Sequence, residues 1–547
     1  MESSMFIGPN ISPMSLARGR KFSARSVATV CAVLLAASGA YSQTASATGP
    51  EQAEVRPNVV AAVKEAAPAR PTAPAQPAAP ATKQRKIGAL NVSGSLRLRA
   101  ESYGWFETPN YEDSYTFGAA VLRLGVGRQK ERYDWLIEGE FPVLFNLPDH
   151  AAPPAPRGQL GPGASYFAAS GRQDASAILK QAFVRVKGVF GDKASTLRVG
   201  RFEFADGAET TPADATLAAL KREHLAHRLI GNFGWSHVGR SFDAVQYVRA
   251  SKSGNFTFVG GRPTEGVFQL RGNRELDVDF WYGAYTRPLA GKNFNSELRL
   301  LALHYHDGRG TLKTDNRPVG ARRADSENIR LTTAGGSYVA AIKTGRGTVD
   351  LLAWGVGQFG SWGRLEHRAA AVVMEGGFQP AGERAAKLGL WVRAGYARST
   401  GDGDASDNRH GTFFQVMPTP RIYARFPFYN MMNTEDAYLQ LKLRPHTRVA
   451  LRADVHHLRL SNGRDLWYAG GGAFQEGTFG YTGRPAGGRR SLGVLFDVSA
   501  DLTVTPTTTF TLYGAGVRGG AAQSAVYPAG GANPTARMFY AELTKRF

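Results

Sequence analysis

From about Leu90 onward, apolar and polar residues alternate one by one, and the polar side of that alternation is charged. In LNVSGSLRLRAE, Leu90, Val92, Leu96, Leu98 and Ala100 share one face, while Asn91, Ser93, Ser95, Arg97, Arg99 and Glu101 share the other. A period of two belongs to a β-strand with two unlike faces, not to a helix. The pattern recurs with Trp135, Ile137 and Phe141 against Glu138 and Glu140. It returns as a hairpin, where Leu439, Leu441 and Leu443 alternate with Gln440, Lys442 and Arg444. Pro445-His446-Thr447 then turns the chain into Val449, Leu451, Ala453 and Val455, which alternate with Ala450, Arg452, Asp454 and His456. A further pair, SLGVLFDVSADLTVTPTTTFTLYGAG, turns at Pro506.

A soluble β-sandwich has the same period. Several charges per strand on the polar face suit a water-filled lumen better, and the chain is too long for one sandwich. No run of about 18 apolar residues exists after the N-terminus, so no helix spans a membrane, whereas strands can do so if their edges close. Mean hydropathy is −0.28, with 11% aromatics and 64 glycines. That composition fits a wall in which only alternate residues face lipid. At the C-terminus Phe539, Ala541, Leu543 and Phe547 alternate with Tyr540, Glu542, Thr544 and Arg546, with Lys545 interrupting. A last strand ending in an aromatic is what barrel insertion machinery receives. The expected fold is all-β: a transmembrane antiparallel β-barrel over 87–547, of about 18 strands (16–18). A barrel of that size leaves an aqueous channel.

Ahead of it, Arg18, Arg20, Lys21 and Arg25 precede the apolar stretch Val27–Ala40, too short to span a bilayer. Residues 1–47 therefore read as a signal peptide, with small residues for cleavage near Ala40 or Ala47. The single cysteine, Cys31, lies inside it, so the mature chain has no thiol and no disulfide. Residues 48–86, with Pro50, Pro57, Pro68, Pro71, Pro74, Pro77 and Pro80 among Ala, Thr and Gln, read as a disordered Pro/Ala-rich periplasmic linker. The linker is a spacer that offers a periplasmic partner a place to bind. The location implied is the outer membrane of a Gram-negative bacterium.

The formal net charge is +21, of which residues 87–547 keep +15. Excess Arg and Lys on a lumen face would favour anions. Basic residues in outer loops would instead meet lipopolysaccharide phosphates. Nucleic acid is excluded as a partner by export and by the spread of basic residues over strand faces.

The stretch ILKQAFVRVKG…STLRVGRFEF followed by GNFGWSHVGRSFDAVQY resembles the alginate-export family of outer-membrane porins. So does GDGDASDNRHGTFFQVMPTPRIYARFPFYNMMNTEDAYLQLKLRP with LRADVHHLRLSNGRDLWYAGGGAF. The resemblance runs from about Leu90 to Phe547. It implies an 18-stranded barrel with an electropositive constriction and passive passage of a polyuronate or related anion. Carried onto matching positions, it implies a path lined by Arg198, Arg201, Arg240, Arg421, Arg425, Arg444 and Arg452, with Asp243 and Asp454 pairing such arginines. Uptake of small acids or sugars is the alternative to export of an anionic polysaccharide. An enzyme is not expected, since no GxSxG elbow or Ser/His constellation occurs. A structural barrel without transport would show a lumen filled by its own side chains or by a folded plug.

No cofactor is expected apart from a structural Ca²⁺ that Asp402, Asp404 and Asp407 could gather in an outer loop. Ala213–Phe233 has helical composition and belongs in the lumen or a loop. His224, His227 and His237 show no ligand spacing, and His456 and His457 point to opposite faces of a strand.

Overall fold

In a computed structural model, residues 85–107, 112–151, 161–420, 425–427, 430–527 and 534–547 are described. The expected signal peptide, linker residues 48–84 and Arg421 lie outside them. Eighteen antiparallel strands, from Leu90–Gly104 to Thr535–Arg546, each pair with the next in sequence. The last returns to the first, with Ser95 opposite Arg546 and Gly104 opposite Arg537. The ladder therefore has no free edge, as hydrocarbon requires. Short pieces at Arg85–Ile87 and Arg409–His410 add to the sheet, while Leu466–Gly470 and Tyr481–Pro485 form a separate hairpin within a loop.

One end of the cylinder carries tight turns, as between His446 and Val449 or Thr505 and Thr508. The other end carries long connections, among them 146–177, 203–241, 400–433 and 461–490. Tight turns mark the periplasmic end of such barrels and long loops the outer end.

Exposure inverts the usual rule of globular proteins. Large apolar side chains stand outside: Leu439 is 58% exposed, Phe539 55%, Trp281 54% and Phe496 50%. Charged ones are buried inside, including Arg99, Glu101, Arg299, Asp350, Arg393 and Asp454. The alternation expected for Leu90–Gly104, for the hairpin at residues 434–460 and for the last strand is present. It also holds in Tyr133–Phe145, with Ile137 and Phe141 outside and Glu138 and Glu140 inside, while Lys180 of the neighbouring strand Ile178–Lys187 is the extra residue of a bulge facing Glu138 and Gly139. Glycines let aromatic rings lie flat on the wall. A Cβ on Gly94 would sit 2.2 Å from the Phe547 ring, and one on Gly260 would sit 2.2 Å from Trp281. The terminal residue is thereby locked to the first strand, with Phe547 N–H donating to Gly94 O at 2.9 Å and Gly94 N–H donating back at 2.8 Å.

Val498 (outside) and Ser499 (inside) lie side by side near the middle of Ser491–Thr505. Val498→Arg should lower unfolding stability in lipid vesicles by about 2–4 kcal/mol, and Ser499→Arg by far less. Urea titration of the refolded variants measures both.

Candidate substrate path

The connection 203–241 does not project outward. Asp206 closes its neck by accepting the Leu229 and Ile230 N–H groups at 3.0 and 2.9 Å, and its own N–H donates to Ile230 O. Asp214 then caps a short helix, Ala215–Leu220, by accepting from Thr216 and Leu217 N–H, and a π-turn at Lys221–Leu225 extends it. Leu217, Leu220, Leu225, Leu229 and Ile230 are buried in one apolar cluster with the wall residues Phe202, Tyr282, Leu303, Trp354 and Val373. Each such side chain is worth roughly 1.5–3 kcal/mol, ample to hold the segment down. The helical segment expected over Ala213–Phe233 thus runs inside the barrel.

Charge pairs fix its polar side. Lys221 Nζ meets Glu297 at 2.6 Å, Lys442 Nζ meets Glu223 at 2.5 Å, and His224 and Arg228 meet Glu375 at 3.0 and 3.2 Å. Arg393 bridges Glu375 and Asp350 within the wall. The histidines do not converge. His227 faces the Thr419 hydroxyl and His237 faces Glu101 at 2.9 Å.

The following residues, Gly234–Val238, are clamped by the opposite wall. Arg97 donates to the carbonyls of Gly234 and Ser236, Arg99 to that of Trp235, and Lys180 to that of Val238. A second inward loop joins the first: Met417 N–H donates to Leu229 O, and Gly231 N–H donates to Met417 O, both at 2.8 Å. A third, 461–490, gives Gly471 O to Arg240 and Phe474 O to Gly266 N–H. The loops pack on both sides of the wall: Leu217, Leu229 and Met417 against the strands from Phe202 to Ala397, and Val238, Phe426 and Trp467 against Tyr103, Leu458, Leu495 and Tyr513. Basic lumen residues with partial solvent contact, Arg97, Arg123, Arg185, Arg198 and Arg452, lie on strands between Leu90 and Phe202 and on Val449–Leu460.

The residues singled out from sequence divide accordingly. Arg198 faces inward, with its guanidinium 3.8 Å over the Phe202 ring. Arg201 does not line the path. It grips Asp243 through two hydrogen bonds of 2.7 and 2.6 Å, and the pair stands on the outward face with the exposed Val199 and Val245. Arg198 and Arg201 are three residues apart on one strand, so they cannot share a face. Asp243 continues outside into a row with Arg262, Asp279 and His306, one residue inside the ends of their strands. Arg240 lies inside but is buried at 1% exposure rather than open to the path. Arg425 reaches inward to donate to the Tyr540 hydroxyl at 2.8 Å. Arg444 sits at the periplasmic turn, donating to Thr447 O. Arg452 holds Asp454 at 2.5 Å on the lumen face.

In the loop expected to gather Ca²⁺, the three carboxylates have local partners. Asp402 accepts from Asp404 and Gly411 N–H, Asp404 from Ser406, and Asp407 from Arg409 N–H, so the carboxylates close local turns instead of converging. Sequence reasoning did not select Arg97, Arg99, Arg123, Lys180 or Arg185. For Arg97 and Arg99 the signal was present, since both stand opposite Leu96 and Leu98 in the first strand.

Burial shifts several groups of the inward loops. It pushes His227 and His237 down to about 4, and Asp206 and Asp465 up to about 6. A buried neutral histidine loses stability as pH falls below its unfolded value. A buried aspartate with a raised value gains stability as pH falls through about 6. Asp206→Asn removes only the second effect. Its stability relative to the native protein should therefore fall by about 3 kcal/mol between pH 7 and pH 4, read by urea unfolding at each pH.

The family model described as alginate export matches residues 163–533. No curated protein matches the chain. Among solved structures, the chain is similar to the outer membrane protein OpdK from Pseudomonas aeruginosa, with 10% identity and a TM-score of 0.48, covering 83% of this chain and 98% of that one. It is also similar to OccK8 (OprE) of the same organism, at 9% identity and a TM-score of 0.49 over 84% and 98%. For OprB of Pseudomonas putida the values are 10% and 0.41 over 83% and 94%. The family model takes in more than half of the chain, including all three inward loops, and the chain belongs to the alginate export family.

Proposed function

We propose that the protein is a passive, anion-favouring outer-membrane channel whose solute is a carboxylated polysaccharide or a related polar anion. One observation carries this reading: several lumen cations spend their hydrogen bonds on neutral groups. Arg97 is held by two carbonyls, Arg198 lies on an aromatic face, Arg425 donates to a tyrosine hydroxyl, and Arg240 donates to a carbonyl. Among the described residues, Arg198, Arg240 and Arg425 make no ion pair within 4.0 Å. Their charge is therefore not cancelled locally, and a low-dielectric wall focuses it on the lumen. A guanidinium presents its donors in a fork that matches carboxylate. Family membership supports the same reading. The inward loops narrow the lumen and favour an extended chain or a small acid over a bulky solute.

Planar-bilayer recording under a KCl gradient tests selectivity. The native protein should prefer anions, and Arg198→Gln combined with Arg425→Gln should reduce that preference roughly threefold or more. Arg201→Gln should leave it unchanged because that side chain faces outward. Cation preference in the native protein, or a sealed membrane at all voltages, would overturn the proposal. Oligouronates added to the chamber should block the current, and neutral oligosaccharides of equal length should not. Block by monomeric acids alone would identify small acids as the solute.

A further inference from the structure

At the outer end of the barrel a basic row stands on the lipid side of the wall. Arg398, Glu435 and Arg459 are direct cross-strand partners on Trp391–Ser399, Thr434–His446 and Val449–Leu460. They share the face of the exposed Tyr396, Leu439 and Val455, from which each is separated by an even number of residues. Arg490 joins them from the loop that precedes the next strand. Below Glu435 the outward residues of its strand are Ala437, Leu439, Leu441 and Leu443. The row is thus the first charged level above the apolar band, where lipid headgroups lie.

Among the described residues, the buried Glu435 is the one carboxylate within 4.0 Å of any of these three arginines. Arg490 donates to its Oε1 at 2.8 Å and, through Nε, to Leu460 O at 2.8 Å. Nε of Arg459 and of Arg398 stand 3.3 and 3.6 Å from its oxygens. The carboxylate therefore gathers the guanidinium groups, yet their side chains stay 56, 42 and 39% exposed for Arg398, Arg459 and Arg490. One negative charge among three positive ones leaves a surplus of two. A phosphate monoester carries about −1.5 to −2 at pH 7, and its oxygens match the guanidinium fork. On the strands that follow, Arg518 and Arg537 stand on the same outer face and make no ion pair within 4.0 Å among the described residues.

A separate observation lies beneath the row. The lipid-facing wall is hollowed by an apolar groove of about 730 Å³, with Leu441, Ala453, Ala500, Gly514, Phe539 and Ala541 in its lining. Leu441 and Ala453 lie on the strands of Glu435 and Arg459, six residues nearer the periplasm in both cases. Six residues span about 20 Å along a strand, and less across the bilayer because the strands tilt. The groove is therefore at the depth of an acyl chain whose headgroup sits at the arginines. We propose that Arg398, Arg459 and Arg490 bind a phosphate of one outer-leaflet glycolipid of the lipid A class, with Glu435 as the positioning residue and the groove as the seat of an acyl chain. This inference stands on the outward face of the wall and not on the transport reading.

The full chain, refolded in detergent, is titrated with bisphosphorylated lipid A under native mass spectrometry. Saturable binding is expected, weakened roughly fivefold in Arg398→Gln and more than about fiftyfold when Arg459→Gln and Arg490→Gln are added. Arg398→Gln removes only an exposed contact and should fold readily, and heat-modifiable migration on gels shows that each variant is folded. Arg201→Gln, at the same end but paired with Asp243, should leave the affinity unchanged. Dephosphorylated lipid A should bind the native protein roughly tenfold or more weakly, a comparison that needs no variant. Equal affinity for the two lipids, or unchanged affinity in the triple variant, would overturn the phosphate site. Displacement of lipid A by inorganic phosphate would make this a free-anion site and overturn the lipid assignment. Ala500→Trp fills the groove and should weaken binding severalfold; unchanged affinity there would overturn the groove as the acyl seat.

Discussion

Inside hydrocarbon, every backbone N–H and C=O must find a partner within the protein, and the hydrogen bonds between the first and last strands meet that demand. Without that seam the sheet would keep two open edges in lipid. Closure also forces the inside-out distribution of side chains. With one face given to lipid, every other residue is committed to the interior, so charge appears within the cylinder strand after strand. The reciprocal hydrogen bonds between Gly94 and Phe547 place the chain end on this seam.

The interior then has to satisfy its own charges. It does so in two ways, by ion pairs and by contacts with neutral groups. Against the strands from Phe242 to His446, wall residues are largely paired, as in Arg393 with Asp350 and Glu375 or Lys221 with Glu297. On the opposite side, pairs such as Arg99 with Glu542, Arg123 with Glu140 and Arg185 with Asp134 stand beside cations held by neutral groups, Arg97 on loop carbonyls and Arg198 over a ring. Carbonyl oxygens satisfy donors without removing charge.

Much of this was legible in the sequence. Period-two alternation gave the strands, the tight turns and the two faces of Leu90–Gly104, and the terminal phenylalanine marked the last strand. The inward course of 203–241 was only half visible, because helical composition at Ala213–Phe233 carries no information on which way a loop folds. The face of each arginine was lost where motif matching replaced alternation, as with Arg198 and Arg201. The acidic run Asp402–Asp407 reads two ways, because Asp beside Gly and Ser also builds turns in which backbone N–H groups take the carboxylates.

The central physical claim is that neighbouring side chains along one strand look into lipid and into the lumen by turns. With its only cysteine at Cys31, the barrel accepts single cysteines cleanly. A fluorophore placed at each position from Val494 to Leu502, in vesicles of brominated lipid, reads the pattern directly. The inside-out cylinder predicts strong quenching at Val494, Phe496, Val498, Ala500 and Leu502, and weak quenching at Leu495, Asp497, Ser499 and Asp501. Uniform quenching, or none along the whole strand, would contradict it.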